Sequence, residues 1–227
     1  LDPQQRLLLE TAWEAMEDAG HVPDPQGEPT GVFVGISTRD YETLQGTVVE
    51  PNEASPYSAT GMASSIAANR LSYCFNFTGP SFSVDTACSS SLLAVHLARQ
   101  SLWRGECRAA LAAGVGCLLS PNNFIAFSSM GVLSPDGRCR AFDARANGFV
   151  RGEGAGAILL RSLGEALASG DSIYAAILAT GTNQDGRTRG LALPSREAQA
   201  ALLRGTCEQA GVTPRDIVYV EVHGTGT

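Results

Sequence analysis

Short, uninterrupted apolar runs alternate with helical stretches along this chain of 227 residues. Strands that are covered by helices on both faces have this appearance, because neither face of the strand meets water. The predicted strands are 31–36, 82–84, 109–117, 157–160, 173–180 and 217–222. The predicted helices are 3–19, 61–73, a stretch from Leu92 to Gly105, and 195–211. The alternation predicts an α/β fold with helices packed on the faces of a sheet.

Cys88 lies where one of these strands turns into a helix, in the stretch 81–93 (SFSVDTACSSSLL). Asp85 and Thr86 are predicted to cap the helix. The first turn of a helix leaves backbone N–H groups unpaired and carries partial positive charge, which favours the thiolate, the nucleophilic form of cysteine. Ala87 and 89–91 are small, so an acyl group has room to approach the sulfur. The alternative is a buried structural cysteine, the usual role of a free cysteine.

Composition removes several other chemistries. All 16 cationic residues are arginine, which excludes a lysine Schiff base and a Walker A phosphate loop within this segment. The formal net charge of −7 argues against nucleic-acid binding, since neutralising phosphates needs a basic surface. The run 151–156 (RGEGAG) leads into an apolar strand and not a helix, so it does not form a dinucleotide loop.

Cysteine and histidine usage argues against a zinc site. The six cysteines form no CxxC pair and the three histidines are far apart in sequence. His21 is predicted to be a solvated loop residue, and His96 is predicted to be a structural residue of its helix. His223 lies at the end of a predicted strand and is followed by glycines, a position where active-site groups of α/β folds collect. No signal peptide or long apolar span is recognisable, so we expect a reduced, cytoplasmic protein that does not enter a membrane. Both ends of the sequence resemble cuts through a longer protein.

Two motifs, VDTACSSSL at 84–92 and VHGTGT at 222–227, resemble the β-ketoacyl synthase domain of modular polyketide synthases. DPQQRLLLETAWEAMEDAG, GVLSPDGRCRAFDARANGFVRGEGAGAILL and the GTNQDG turn resemble the same family, so the likeness covers the whole segment. It implies a thiolase-like fold with layers α/β/α/β/α, here incomplete: the N-terminal half at about 1–165 and the start of the C-terminal half at about 166–227. It also implies a homodimer, with 81–86 as a central strand near the dimer interface.

The resemblance assigns roles to four residues. Cys88 corresponds to the nucleophile that takes the acyl chain as a thioester, and its backbone N–H to half of an oxyanion hole. His223 corresponds to the first histidine of a Cys/His/His set, which assists decarboxylation of a malonyl-type extender. Thr225 and Thr227 correspond to hydroxyls that contact the pantetheine arm. The domain itself is expected to bind no cofactor, because its substrates are carried on the phosphopantetheine of an acyl carrier protein.

The implied partners are the acyl carrier protein, an acyltransferase and the other modules of the same megasynthase. The family's second histidine, its lysine and the glycine-rich strand that completes the oxyanion hole are expected beyond residue 227. We therefore predict that this segment alone is inactive. Three alternatives remain open at this stage: the ketosynthase of a multifunctional fatty acid synthase, a non-catalytic chain-length or scaffold homologue, and a thiol hydrolase.

Overall fold

The computed structural model describes residues 1–48 and 55–227. The strands are β1 Thr30–Ile36, β2 Ser81–Val84, β3 Ala109–Gly116 and β4 Gly154–Arg161. The helices are α1 Pro3–Asp18, α2 Asp40–Val48, α3 Ser58–Met62, α4 Ser64–Phe75, α5 Ser90–Trp103, α6 Asn122–Ser129, α7 Leu163–Ser169 and α8 Arg196–Ala210, with a short 3₁₀ helix at Pro214–Asp216.

The four strands form one sheet in the order β2-β1-β3-β4. β1 runs parallel to both of its neighbours, with Val32 opposite Ser81 on one side and Leu111 on the other. Every residue of β1 is buried, as its uninterrupted apolar sequence predicts for a strand inside a parallel sheet. The predicted alternation of strands and helices is confirmed for this part of the chain.

Helices cover the sheet on both faces. On one face, Leu8, Ala12 and Met16 of α1 pack with α4 against Val32 and Val34. On the other face, Ala94 and Ala98 of α5 pack against Phe33, Ala110 and Ala112. Small alanines at these positions bring α5 close to the strands, which matters for the site described below.

Helix α1 begins where the sequence predicts. The Asp2 side chain accepts a hydrogen bond from the backbone N–H of Gln4 at 2.8 Å, and Pro3 occupies the first turn, where its missing N–H costs nothing. The predicted helix 195–211 is likewise confirmed: Ser195 caps α8 by accepting from the N–H of Ala198 at 3.2 Å, and Gly211 ends the helix in a left-handed conformation.

Several predictions about individual elements were wrong. Residues 173–180 and 217–222 are not strands, and their apolar side chains are largely exposed, Tyr174 at 84% and Val218 at 99%. An apolar run becomes a strand only when a neighbouring strand completes its ladder, and neither run has joined one within the described ranges. In the single chain, β2 is an edge strand that pairs with β1 alone in the sheet as described, and the expected place of 81–86 as a central strand near a dimer interface stays a prediction.

Helices α2 and α6 lie in segments for which the sequence predicts neither a helix nor a strand. Helix α2 occupies much of the polar segment 37–58, of which residues 49–54 lie outside the described residues, and α6 lies within the connection 121–148. Neither has a strong apolar stripe, which is why periodicity did not reveal it. Instead, hydrogen bonds from other parts of the chain fix their ends, as described below.

The chain divides into two compact units, one of residues 1–160 with 222–227, the other of residues 161–221. The second unit contains α7, α8 and the 3₁₀ helix, and an ion pair joins Arg161 to Asp171 at 2.6 Å within it. Among the helices in the described ranges, none is both long and apolar enough to cross a membrane.

Candidate active site

The turn between β2 and α5 holds Cys88 at the surface of the first unit. Ala87 adopts a left-handed backbone conformation with φ 53°, which is uncommon for a residue other than glycine, and the Cys88 side chain that follows it is exposed. A sharp turn of this kind, placed directly before a helix, presents the next side chain outward. The predicted location of Cys88 at a strand-to-helix junction is confirmed.

Side-chain hydrogen bonds hold this turn. Asp85 Oδ1 accepts from the N–H of Ala87 at 3.0 Å, and Ser90 Oγ accepts from the N–H of Thr86 at 2.9 Å while donating to the carbonyl of Ala87 at 2.7 Å. Asp85 and Thr86 therefore shape the turn and do not cap the helix as predicted. Helix α5 begins at Ser90 with Ser89 as its N-cap, because Ala87 redirects the chain before the helix can start.

Two glycines allow α5 to approach the sheet at this point. A Cβ atom on Gly35 of β1 would lie 2.4 Å from the backbone nitrogen of Ser91, and one on Gly114 of β3 would lie 2.7 Å from the Ser91 Cβ. Any larger residue would push the start of α5 away from the strand ends. Sequence reasoning identified both strands but missed these residues, although a glycine inside a strand pattern is itself a signal of close backbone approach.

Cys88 faces an open depression of about 600 Å³. Three chain segments surround it in addition to the Cys88 turn: the end of β1, the end of β3 and the start of β4. The lining residues are Gly35, Ser37, Ala87, Cys88, Ser90, Ser91, Gly114, Val115, Gly116, Gly152, Gly154, Ala155 and Gly156. Six of these are glycines, so much of the wall is backbone, and an extended, flexible chain could lie against it without meeting bulky side chains.

The segment 223–227 belongs to the same compact unit as Cys88. The Gly226 carbonyl accepts a hydrogen bond from the N–H of Gly148 at 3.1 Å, and a Cβ atom on Gly226 would lie 3.2 Å from the Arg140 backbone nitrogen. Gly226 has φ 71°, so its conformation also favours glycine. The hydroxyls of Thr225 and Thr227 are hydrogen-bonded to each other at 2.8 Å.

The structure does not place His223 in the wall of the Cys88 depression, as far as the described residues define that wall. The His223 side chain is exposed. Cooperation between Cys88 and His223, and the contacts of Thr225 and Thr227 with pantetheine, therefore stay predictions. In the structure, Cys88 lies beside the glycine-rich ends of β1 and β3 and the start of β4. His223, Thr225 and Thr227 lie together on one turn that packs against the connection 140–148.

The other two histidines have structural partners. His21 is not simply solvated as predicted, because its Nε2 lies 2.9 Å from Glu28 Oε1. His96 is half-buried in α5 with Nε2 2.7 Å from Gln100 Nε2, and burial, with a smaller effect from the charge of Arg99, lowers its pKa. His96 thus has the surroundings expected of a structural residue.

An arginine adjoining the depression sits between two aromatic rings. The Arg151 guanidinium lies 5.1 Å from the ring centres of both Phe124 and Phe127 of α6, and the Phe127 ring also contacts Phe149 edge to face at 5.7 Å. Arg151 directly precedes Gly152, which lines the depression. Sequence reasoning gave no role to Arg151.

Comparison with known proteins assigns the chain to a family. The family model described as "Beta-ketoacyl synthase, N-terminal domain" matches residues 1–166, and "Beta-ketoacyl synthase, C-terminal domain" matches residues 174–227. A highly reducing polyketide synthase of Cryptosporiopsis sp. is 50% identical over all of this chain, which spans 9% of that protein. A phenolphthiocerol/phthiocerol polyketide synthase of Mycobacterium tuberculosis is 51% identical over all of the chain, which spans 12% of it.

Solved structures give the same result. The ketosynthase from module 6 of the bacillaene synthase of Bacillus subtilis 168 matches with a TM-score of 0.90 and 44% identity, over 100% of this chain and 38% of the other. An oxazolomycin ketosynthase domain of Streptomyces albus JA3453 matches with a TM-score of 0.89 and 40% identity, over 100% and 39%. The predicted thiolase-like α/β fold is confirmed, and this chain covers part of it.

Proposed function

This chain belongs to the beta-ketoacyl synthase family, and from that premise we propose that it supplies the acyl-accepting cysteine of a polyketide ketosynthase. The observation that carries the proposal is the exposed Cys88 side chain, presented by the left-handed Ala87 into a depression with a backbone-rich wall. The chain spans about a tenth of the curated relatives given above, in which the ketosynthase is one part of a larger enzyme.

The first step is transfer of the acyl chain. The Cys88 thiolate attacks the carbonyl carbon of an acyl thioester on the carrier protein, and the carbon–sulfur bond to phosphopantetheine breaks as the new one forms. The leaving thiolate takes up a proton. The developing oxyanion accepts a hydrogen bond from the Cys88 backbone N–H, a fixed donor of the kind that typically provides a large part of acyl-transfer catalysis.

The second step forms the carbon–carbon bond. A malonyl-type thioester loses CO₂, and the electron pair of the broken bond becomes an enolate. His223 donates a hydrogen bond to the thioester oxygen, where negative charge develops. The enolate carbon then attacks the acyl-Cys88 carbonyl, and the Cys88 thiolate leaves. The second histidine of the family and its lysine are expected from sequence beyond residue 227.

The remaining assignments follow from the same family. Thr225 and Thr227 contact the pantetheine arm, and the partners are an acyl carrier protein, an acyltransferase with the other modules, and a second copy of the domain. The domain binds no cofactor of its own, and it binds neither nucleic acid nor a membrane. It works in the cytoplasm, where its free cysteines stay reduced. Its N-terminal half ends near residue 165.

A labelling experiment separates this proposal from its rivals. The complete gene product that contains these residues is incubated with a radiolabelled acyl thioester and compared with Cys88→Ala. Stable label on the peptide that contains residue 88, lost in Cys88→Ala, supports a condensing enzyme. Rapid hydrolysis of that label indicates a thiol hydrolase, and no label on that peptide indicates a scaffold homologue. The fatty acid synthase alternative is not favoured, since the curated relatives at about 50% identity are polyketide synthases.

A further inference from the structure

Asp40 is a buried carboxylate that the proposed chemistry does not use. It lies in the first turn of α2 and is only 5% exposed. Its Oδ2 accepts hydrogen bonds from the N–H groups of Leu119 and Ser120, each at 3.0 Å, and its Oδ1 accepts from Asn123 Nδ2 at 3.2 Å. A buried carboxylate is costly unless donors surround it, so these three hydrogen bonds are what keeps Asp40 in place.

The three donors lie in the connection 117–121, which joins β3 to α6, and in the first turn of α6 that follows it. A second carboxylate binds the same connection: Glu153 Oε1 accepts from the N–H of Leu118 at 2.6 Å. Three consecutive backbone N–H groups, at 118, 119 and 120, are therefore held by two acidic side chains. The connection belongs to no helix or strand, so these carboxylates determine where it runs.

The connection lies between two segments of the depression wall. It begins immediately after Gly116, the last lining residue of β3, and Glu153 stands between the lining residues Gly152 and Gly154. Asp40 itself lies three residues after Ser37, which follows β1 and also lines the depression. Asp40 thus ties the chain that leaves β1 to the chain that leaves β3.

The position of the connection also determines the position of α6. Asn123, which donates to Asp40, lies in the first turn of that helix, and Phe124 and Phe127 of the same helix hold the Arg151 guanidinium between them. Because Gly152 follows Arg151, a shift of α6 is passed to the β4 side of the depression.

We propose that Asp40 is a positioning residue for acyl transfer to Cys88: its carboxylate fixes the connection 117–121 and helix α6, and thereby the spacing of the β1, β3 and β4 segments that face the sulfur. Asp40 is not among the residues that line the depression. The expected effect on the acylation rate rests on the proposed function. The effect of Asp40 on the connection 117–121 can be tested without measuring any activity.

The test compares Asp40→Ala with Asp40→Asn in the complete gene product. The Asn side chain keeps an oxygen for the two backbone N–H groups, and the Asn123 amide can turn to accept from its NH₂ group, so Asp40→Asn should stay near the wild-type rate. Asp40→Ala should slow the acylation of Cys88 at saturating acyl thioester by about 10- to 100-fold, the effect of a small misplacement of reacting groups. The thioester concentration at half-saturation should change by less than about threefold, since no substrate contact is removed.

Two further variants are controls. Asp24→Ala removes an exposed carboxylate that accepts from the N–H of Gln26, and it should acylate at the wild-type rate. Leu71 is buried in the core cluster on the α1 face, so Leu71→Ala should lower the free energy of unfolding of the domain. This variant shows how much a loss of stability alone changes the acylation rate. If Asp40→Ala does not fold, Asn123→Ala, which removes only the Oδ1 hydrogen bond, takes its place with a smaller loss of rate.

Hydrogen exchange separates this inference from the proposed function. Faster amide exchange at 118–120 in Asp40→Ala, and not in Asp24→Ala, supports the positioning role whether or not the wild-type protein accepts an acyl group. A wild-type protein that accepts no acyl group would reject the proposed function and leave the positioning role standing. Unchanged exchange at 118–120 overturns the inference. So does a wild-type acylation rate in folded Asp40→Ala, or an equal loss of rate in Leu71→Ala.

Discussion

Ala87 carries a conformational cost at the residue scale. A left-handed backbone costs an L-residue roughly 1–2 kcal/mol, and Ala87 has φ 53° directly before the exposed Cys88. Asp85 accepts a hydrogen bond from the Ala87 N–H, and Ser90 accepts one from the Thr86 N–H and donates one to the Ala87 carbonyl, so the turn around Ala87 is held. The neighbouring structure thus maintains an unfavourable conformation at the position that orients the proposed nucleophile.

Substitutions at position 87 test this cost. Ala87→Val should lower the free energy of unfolding by about 1–3 kcal/mol, because a β-branched side chain is poorly tolerated in the left-handed region. Ala87→Gly should leave it unchanged or raise it, since glycine adopts this conformation freely. Urea unfolding followed by circular dichroism measures both, and equal stability of the two variants would contradict a left-handed Ala87.

At the element scale, the contact of α5 with the strand ends determines where Cys88 lies. The contact depends on Gly35 and Gly114, which leave room for Ser91 at the start of the helix. Since α5 begins two residues after Cys88, any displacement of the helix start also moves the sulfur.

Alanine substitution of Gly35 tests the contact. Gly35→Ala should lower the free energy of unfolding by about 3 kcal/mol or more, because the new Cβ lies 2.4 Å from a backbone nitrogen that cannot move alone. Gly46→Ala in α2 is the matched control: nothing lies within 4 Å of its Cβ, and the same change there should stabilise by about 0.4–1 kcal/mol. Similar denaturant midpoints for the two variants would refute the close approach.

The connection that supports 223–227 has its own electrostatics. Hydrogen bonds from Arg140, at 2.5 Å, and Asn147, at 3.2 Å, lower the pKa of Asp136. The folded pKa lies below the unfolded one, so these bonds stabilise the loop above the unfolded pKa of about 4, and the contribution is lost as pH falls through the folded pKa.

NMR titration of the carboxyl groups tests this arrangement. Arg140→Ala should raise the pKa of Asp136. Hydrogen bonds with Arg145 lower the pKa of Asp143 to about 2, so Arg145→Ala should raise the pKa of Asp143 and leave the pKa of Asp136 unchanged. An Asp136 titration that does not respond to Arg140→Ala would show that the pair does not form.

Sequence reasoning succeeded where a local pattern was sufficient. The apolar run of β1 and the capped helices α1 and α8 were predictable because burial and capping leave direct traces in sequence. The left-handed conformation of Ala87 was not predictable, because alanine normally prefers a right-handed helix and its conformation here depends on hydrogen bonds with Asp85 and Ser90. The role of Asp40 was equally hidden, since its donors lie about 80 residues away in sequence.

On the scale of the whole molecule, the first unit has a sheet with a helix layer on each face, whereas 173–180 and 217–222 remain outside that sheet. Strand predictions failed for these two runs because a strand requires a partner, which a local pattern does not reveal. The chain covers 38% of the bacillaene ketosynthase structure that it matches.

The 227-residue chain by itself should not condense acyl and malonyl thioesters. Its predicted catalytic set contains one histidine, His223, and the second histidine and the lysine of the family are expected beyond residue 227. Release of CO₂ from a malonyl-carrier thioester measures the activity, with the complete gene product as the control. Product formation by the isolated chain would contradict this expectation.

The most direct test of the central claim is mass spectrometry of the peptide that contains Cys88. After the complete gene product is incubated with an acyl thioester, that peptide should carry the mass of one acyl group, and subsequent addition of a malonyl-carrier thioester should remove it with formation of a β-ketoacyl product. A Cys88 peptide that stays unmodified while product accumulates would contradict the account.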